Sequence, residues 1–336
     1  MHFENHSILA SSEHAETKDL FAETIANEDI LANASGPVEF SMTNDYLFKT
    51  FLQRNNKALK GLIAALLHMP VEQIKSVEVI PARDEGDSLT DKTLIMDLLV
   101  SFNNDRIINL EMQVINEHNW TDRSLTYLCR TFNHLNKGEL YSQVRPVIQI
   151  GFLDFTLFPE APEFYATYRM LNIKNHMLYS SKITLSVVDL TRKDLATEED
   201  KQYHIDYWTS FFKATTWEDI KTLAEQNEYI KEAAETVFKL TRDQQIRRQL
   251  EAREDFLRRE REKQWRMETL TAEKAAAEEG RIAAEQRAEK AENDKAVAEQ
   301  RAEKAKVEIA ELKRQAEASA SKIAELMAEL AALKEK

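Results

Sequence analysis

Cysteine is almost missing from this chain: among 336 residues there is one, Cys129. That excludes an intramolecular disulfide framework and a cysteine-rich zinc site, and it points to a reducing, cytoplasmic setting. Glycine and proline are scarce too, six of each. They stop early, since no proline follows Pro162 and Gly280 is the one glycine after Gly151. Aromatic residues fade at the same place, with Phe256 and Trp265 alone beyond residue 240. No apolar run approaches the ~20 residues that a membrane span needs. Met1-His2-Phe3-Glu4 does not read as the start of a secretory signal. Positive charge is in deficit, with 45 Lys and Arg against 58 Asp and Glu, a formal −13. Any nucleic-acid contact must therefore come from local basic patches.

A core needs aromatics and turns need Gly or Pro, so the globular part is expected to end near residue 240. Residues 241–336 carry 22 basic and 22 acidic groups, and the whole negative balance falls on what precedes them. Residues 1–38 read as a polar, flexible leader ending at Gly36-Pro37. Residues 39–240 read as the folded domain and 241–336 as a charged helix and coiled coil. In that tail, Ala284-Glu285-Gln286-Arg287-Ala288-Glu289-Lys290-Ala291 recurs unchanged at 298–305, two heptads on. The same frame puts Ile309, Leu312, Ile323, Leu326, Leu330 and Leu333 on a and d, which is a coiled-coil seam. Unbroken, such a helix is a rod of roughly 140 Å. Self-association along the seam is the favoured expectation. A lone helix held by Glu–Lys/Arg pairs one turn apart is the other.

Within 39–240 the pattern is α/β. Thr43 and Asn44 can cap a helix whose apolar face runs Phe48, Phe51, Leu52, then Leu59, Leu62, Ile63, Leu66 and Leu67, with a break at Asn55-Asn56 and a stop at Pro70. Ile74–Ile80, Leu94–Phe102 and Ile107–Val114 read as strands, and Asn103-Asn104-Asp105 joins the last two as a hairpin. The stretch 82–91, with Gly86, reads as a loop. Asp122–Lys137 reads as a helix ended by Gly138, Pro146–Leu153 as an interior strand, and 167–172 and 183–190 as further strands. Helical patterning takes over from Glu198.

The hairpin carries the residues that can do chemistry. Asp97 sits inside the apolar run Met96-Asp97-Leu98-Leu99-Val100, and Glu111 inside Asn109-Leu110-Glu111-Met112-Gln113. Side chains alternate along a strand, so Glu111 and Gln113 share a face. A turn centred on Asn104 sets Asp97 opposite Glu111, and facing pairs lie ~4.5–5.5 Å apart at Cβ. Two carboxylates that close repel unless a cation joins them. Mg²⁺ takes oxygen ligands, commonly one or two carboxylates, and the Met112 backbone carbonyl can add another. Mn²⁺ is the natural substitute. Such a metal polarises a phosphodiester and activates water. On spacing alone, a solvated hairpin face explains the same two acids.

Residues 40–240 resemble the Rpn family of recombination-promoting nucleases, also described as PD-(D/E)XK nuclease family putative transposases. The resemblance is carried by Asn44-Asp45-Tyr46-Leu47-Phe48-Lys49, Asp97-Leu98-Leu99-Val100, Asn109-Leu110-Glu111-Met112-Gln113, Arg123-Ser124-Leu125-Thr126-Tyr127, Lys137-Gly138-Glu139-Leu140-Tyr141 and Arg145-Pro146-Val147-Ile148-Gln149-Ile150. It implies a restriction-endonuclease-like α/β core, a mixed central sheet flanked by helices, that cuts DNA with Mg²⁺ and promotes recombination or travels with mobile elements. By the same resemblance Asp97 and Glu111 are the superfamily's two acids, and Gln113 fills the position of its lysine. Met96 precedes Asp97 where the superfamily has proline. A lysine brings positive charge beside the attacking water, whereas a glutamine can only orient that water. Lys49 or Lys92 can supply the missing cation. Asp45 ranks below the hairpin pair as a further acidic site residue; the alternative for it is a helix-start acid favoured by the dipole.

Arg123, Tyr127, Arg130 and His134 line one helical face just after the hairpin. That face can grip phosphates, and ion pairing within the domain accounts for it equally well. Residues 242–266 hold nine basic and six acidic groups, interleaved, which reads as a charged helix surface. The eight histidines show no metal-ligand spacing, and there is no Gly-rich phosphate loop. The expected function is a Mg²⁺-dependent DNA endonuclease that forms homo-oligomers through its tail. The rival expectation is a non-catalytic interaction protein on a nuclease fold.

Overall fold

The computed structural model describes residues 31–80, 98–133, 135 and 138–334. The leader up to residue 30, the loop at 82–91, Lys92, Asp97 and His134 lie outside the described residues.

The helices are α1 (Asp45–Arg54), α2 (Asn56–Leu66), α3 (Trp120–Phe132), α4 (Glu198–Gln202), α5 (Ile205–Lys213), α6 (Trp217–Gln226), α7 (Glu228–Leu240) and α8 (Gln244–Lys334). The strands are β1 (Val77–Val79), β2 (Leu98–Phe102), β3 (Arg106–Gln113), β4 (Val147–Leu153), β5 (Tyr165–Arg169) and β6 (Ile183–Asp189). Among the described residues they form one six-stranded mixed sheet in the order β1-β2-β3-β4-β6-β5. The pairs β3–β4 and β4–β6 are parallel, and the other three are antiparallel.

Local chemistry explains the joints. The Asn44 side chain accepts from the N–H groups of Tyr46 and Leu47 and starts α1. Asn55 ends that helix and caps α2 through the N–H of Ala58, so the Asn55-Asn56 break is real. Asn103 and Asn104 take left-handed φ values of 49° and 58°, which Asn tolerates better than most residues. The helix after the hairpin starts earlier than its apolar pattern suggested, at Trp120, and ends at Phe132. Gly138, at φ 95°, lies beyond it and is not its cap.

The even-numbered residues of β3 (Ile108, Leu110, Met112) join Ile148, Ile150, Phe152 and Val188 in the main core. Helices α1, α2, α5 and α7 cover that face with Phe48, Phe51, Leu62, Phe212 and Val237. The rings of Phe48, Phe152 and Phe212 meet at centroid distances of 5.3–5.6 Å. The odd-numbered face of β3 looks the other way, toward α3, where Leu128 and Trp120 pack on Val147, Leu153 and Val187. Pleating thus splits β3 between an apolar face and a face that holds Asn109, Glu111 and Gln113.

The compact unit runs to Glu262, and a second unit spans Lys263–Lys336. The base of α8 belongs to the first, with Ile246, Leu250 and Leu257 buried in it. In the second unit the apolar residues Ile309, Leu312, Ile323, Leu326 and Leu330 are exposed. Among the described residues no helix is long and apolar enough to cross a membrane.

Tyr165, on edge strand β5, donates its hydroxyl to the Leu66 carbonyl at 2.6 Å. Burial pushes it from 10.0 up to about 12. A proton held more tightly in the folded chain gives stability that is whole below pH 10.0 and lost as pH climbs through about 12. Tyr165→Phe should flatten the alkaline fall in stability across that window, measured by urea unfolding; an unchanged slope would contradict the buried hydroxyl.

Candidate active site

Glu111 has no exposed surface. It stands on β3 opposite Gly151 of the parallel strand β4, with Asn109 opposite Gln149. An unpaired carboxylate in such a place is costly, and two partners, one of them steadied by a third side chain, offset the cost. Arg123 of α3 donates from Nε to Glu111 Oε1 at 2.7 Å. Gln149 donates from Nε2 to Oε2 at 3.3 Å. Asn109 steadies that amide, giving its Nδ2 to Gln149 Oε1 at 2.8 Å. Burial still pushes Glu111 above the usual carboxylate range; Arg123 and Gln149 pull it back, and the nearby Asp45 charge pushes it up again. The Asn109 Oδ1 is buried and finds no donor among the described residues.

Asp45 opens α1 and carries its own guanidinium. Arg253, from the base of α8, holds it with two parallel bonds, the Nε–Oδ1 one at 2.6 Å and the other from Nη2 to Oδ2. Beside it, Asn44 donates to Glu254 at 3.0 Å, and the Arg253 guanidinium lies 4.6 Å over the Phe256 ring. Two acids from different elements thus lie within electrostatic reach of each other, and each is neutralised by one arginine.

A family model for PD-(D/E)XK nuclease family transposases matches residues 42–265, more than half of the chain. The chain belongs to this family. No curated protein and no solved structure matches it. The matched span takes in Asp45, the hairpin, α3, β4 and the base of α8, so family membership and the polar face of β3 concern the same region. A nuclease or transposase-associated role follows from membership, and nucleases of this kind use divalent metals.

The PD-(D/E)XK chain brings some of the expected site residues together. The β2–β3 register runs from Leu98↔Leu110 to Phe102↔Arg106, the frame that a turn centred on Asn104 requires. Asp97, next in that frame, lies outside the described residues, as does Lys92, so the facing of Asp97 and Glu111 stays an expectation of the register. Gln113 shares the Glu111 face, and its Nε2 donates to the Ile115 carbonyl at 3.0 Å. The Met112 side chain is buried in the main core, which leaves its backbone carbonyl as the group available to a ligand. Lys49 lies one turn beyond Asp45 on the same face of α1 and is half-buried. The helical face that can grip phosphates is partly turned inward: Arg123 reaches Glu111, and Tyr127 is buried, with the Arg123 guanidinium 5.3 Å over its ring. Arg130 is exposed and has interactions of its own.

Sequence reasoning missed Gln149, Asn109 and Arg253. The first two left a signal. Gln149 is the one polar side chain in Val147–Leu153, and Asn109 continues the period-two polar row of Glu111 and Gln113. Arg253 left none, because it is one of many arginines on a charged helix. Among the described residues no cluster of three or more His, Cys, Asp or Glu side chains is poised for a metal. The ligand-type group on this face is the Glu111 carboxylate, whose oxygens suit a hard cation such as Mg²⁺ or Mn²⁺ rather than zinc.

Gly151 sets the distance between α3 and the sheet. A Cβ there would stand 2.1 Å from Cζ2 of Trp120. Gly151→Ala should displace Trp120 and, with it, the helix that carries Arg123. The expected loss is about 1–3 kcal/mol, as for other overpacked sites, read as a lower urea midpoint with a shifted tryptophan emission. A midpoint equal to wild type would show that α3 does not rest there.

Proposed function

We propose that this chain is a divalent-cation-dependent DNA endonuclease whose chemistry centres on Glu111, acting in recombination or with mobile elements. The observation that carries the proposal is a fully buried carboxylate on the polar face of β3, held by Arg123 and Gln149. A purely structural strand gains nothing from burying that charge. Glu111, Asp97 and the Met112 carbonyl would hold the ion, with Asp45 as a further acid. When bound, a divalent ion polarises the phosphodiester and lowers the pKa of the attacking water.

The remaining work falls to the chain's own groups. Gln149 and Asn109 fix the rotamer of Glu111, so the carboxylate meets its ligand pre-oriented. Arg123 balances the carboxylate charge while no other cation does so. Gln113 gives the attacking water a hydrogen bond in place of lysine's charge. Lys49, on the Asp45 face, and Lys92 are the candidates for that charge. DNA is the substrate by family, and no membrane is involved in this reading.

A second reading, a catalytically silent interaction module, is favoured by three observations. Both acids are already occupied by arginines, Gln113 is engaged with Ile115, and a long exposed helix follows. Plasmid nicking decides between the two. Wild type should nick with Mg²⁺ or Mn²⁺ and not with chelator. Asp97→Ala and Glu111→Ala should each lower the rate by about two orders of magnitude or more, in line with the loss of a group that stabilises transition-state charge. Nicking unchanged in both variants would remove the site assignment, and none in wild type would favour the second reading.

We also propose that α8 joins copies of this chain into homo-oligomers. Ile309, Leu312, Ile323, Leu326 and Leu330 stay 52–59% exposed on one heptad stripe, and burying them against a second helix is favourable. Replacing Ile323 and Leu326 with lysine in the full chain should lower the mass seen by light scattering. The same mass in both forms would argue for a lone helix.

A further inference from the structure

A cavity of about 260 Å³ is lined by residues that adjoin the candidate site along the chain. Ser41, Thr43, Asp154, Lys213 and Arg261 line it. Its position follows from the chain. Asp154 comes directly after β4, and its N–H donates to the Gln113 carbonyl at 2.9 Å. Thr43 comes two residues before Asp45. Lys213 is the last residue of α5, and Arg261 lies on the base of α8 within the first compact unit.

The charges make the cavity distinctive. The chain as a whole is at −13, yet here two cations meet one carboxylate. Lys213 Nζ lies 2.7 Å from Asp154 Oδ1, and an ammonium has three donors, so it can hold Asp154 and an anion oxygen together. Arg261 is exposed and makes no ion pair among the described residues. Its forked guanidinium suits a phosphate. The Ser41 and Thr43 hydroxyls bond to each other at 2.7 Å, so the pair keeps one O–H to donate on the wall. Lys213 is 43% exposed, so both cationic heads meet solvent where a polymer can pass.

We propose that this cavity is a phosphate subsite that holds a backbone phosphodiester of the DNA next to the one that is cut. The inference rests on the DNA-nuclease reading and adds a binding site to it. Lys213 and Arg261 are its cations, and the Ser41–Thr43 hydroxyl pair supplies one neutral donor. A diester phosphate brings one negative charge to a pocket with one net positive charge. The subsite fixes the backbone relative to Glu111 without reading sequence.

The test measures binding of a fluorescent DNA duplex to the full chain across a salt series, with Ca²⁺ in place of Mg²⁺ so that strands stay intact. Each lost phosphate contact lowers the slope of log K against log salt by about 0.9. Arg261→Gln and Lys213→Gln should each show much of that drop, the double variant no more than about one full drop because both cations hold the same phosphate, and Arg261→Lys should keep most of the wild-type slope. Lys213→Gln leaves Asp154 without its partner, so thermal melting accompanies it. Arg261→Gln, on an exposed side chain, decides alone if the lysine variant does not fold. Wild-type slopes in every variant, with DNA bound and cut as before, would overturn the subsite and leave the nuclease reading intact. Calorimetric uptake of inorganic phosphate that Arg261→Gln abolishes, with the duplex slope unchanged, would overturn it in favour of a small phosphate ligand. A wild-type chain that neither binds nor cuts DNA would overturn both.

Discussion

The charge of Glu111 is the constraint around which this end of the domain is built. A carboxylate without solvent is tolerated only where its lone pairs and its charge are both met. Arg123 meets the charge and one oxygen, and Gln149 meets the other oxygen. Gln149 is itself held by Asn109, so three strand positions on one face act as a single network. The helix that supplies Arg123 must lie close to the sheet, and Gly151 allows this by leaving space for Trp120. Removing one member leaves another buried polar group without its partner, which costs more than the lost bond itself.

Asp45 adds a second acid to the same neighbourhood and draws the long helix into it. Arg253 pairs with Asp45, Arg247 with Glu39, and Glu254 accepts from Asn44. Ile246, Leu250 and Leu257 anchor those turns in the core. The first turns of α8 are therefore part of the folded domain, and the family match reaches residue 265. The loss of aromatics after residue 240 marks the last helix that supplies aromatic rings to the core. It does not mark the last residue packed against the domain.

In the proposed site, Gln113 stands where the resemblance puts a lysine, and this bears on how such a site works. Lysine brings charge and a proton donor to the attacking water, whereas Gln113 brings dipoles alone. Cations are nonetheless close by, because Arg123 and Arg253 each balance an acid and Lys49 shares a face of α1 with Asp45. In the proposed site, Arg123 and Arg253 are balanced by the acids they hold, which leaves Lys49 as the nearby cation of α1 that could make up for the charge Gln113 does not carry. That distribution makes electrostatic balance at this end depend on tertiary contacts rather than on one strand.

Much of the fold was legible because its causes are local. Asn44 and Asn55 cap helices by bonds to N–H groups two or three residues on, Asn103 and Asn104 turn a hairpin by adopting left-handed φ, and alternation along β3 separates its two faces. Each needs only neighbours in the chain, so composition and spacing determine it, and the α/β class and the β2–β3 register follow. The heptad stripe of α8 was legible for the same reason. The end of the α3 helix was misread at Gly138: the helix stops at Phe132, and Asn133, not a glycine, is its C-cap. The site was only half legible. Glu111 and Gln113 announced themselves as polar residues in an apolar strand. Gln149, 38 positions from Glu111, and Arg253, 208 positions from Asp45, became partners only when the sheet and the helices closed. No spacing rule reaches across such separations, because contact there depends on the path of the whole chain. The sequence by itself determined which face of β3 carries Glu111; the tertiary structure decided which cation and amides make its burial tolerable.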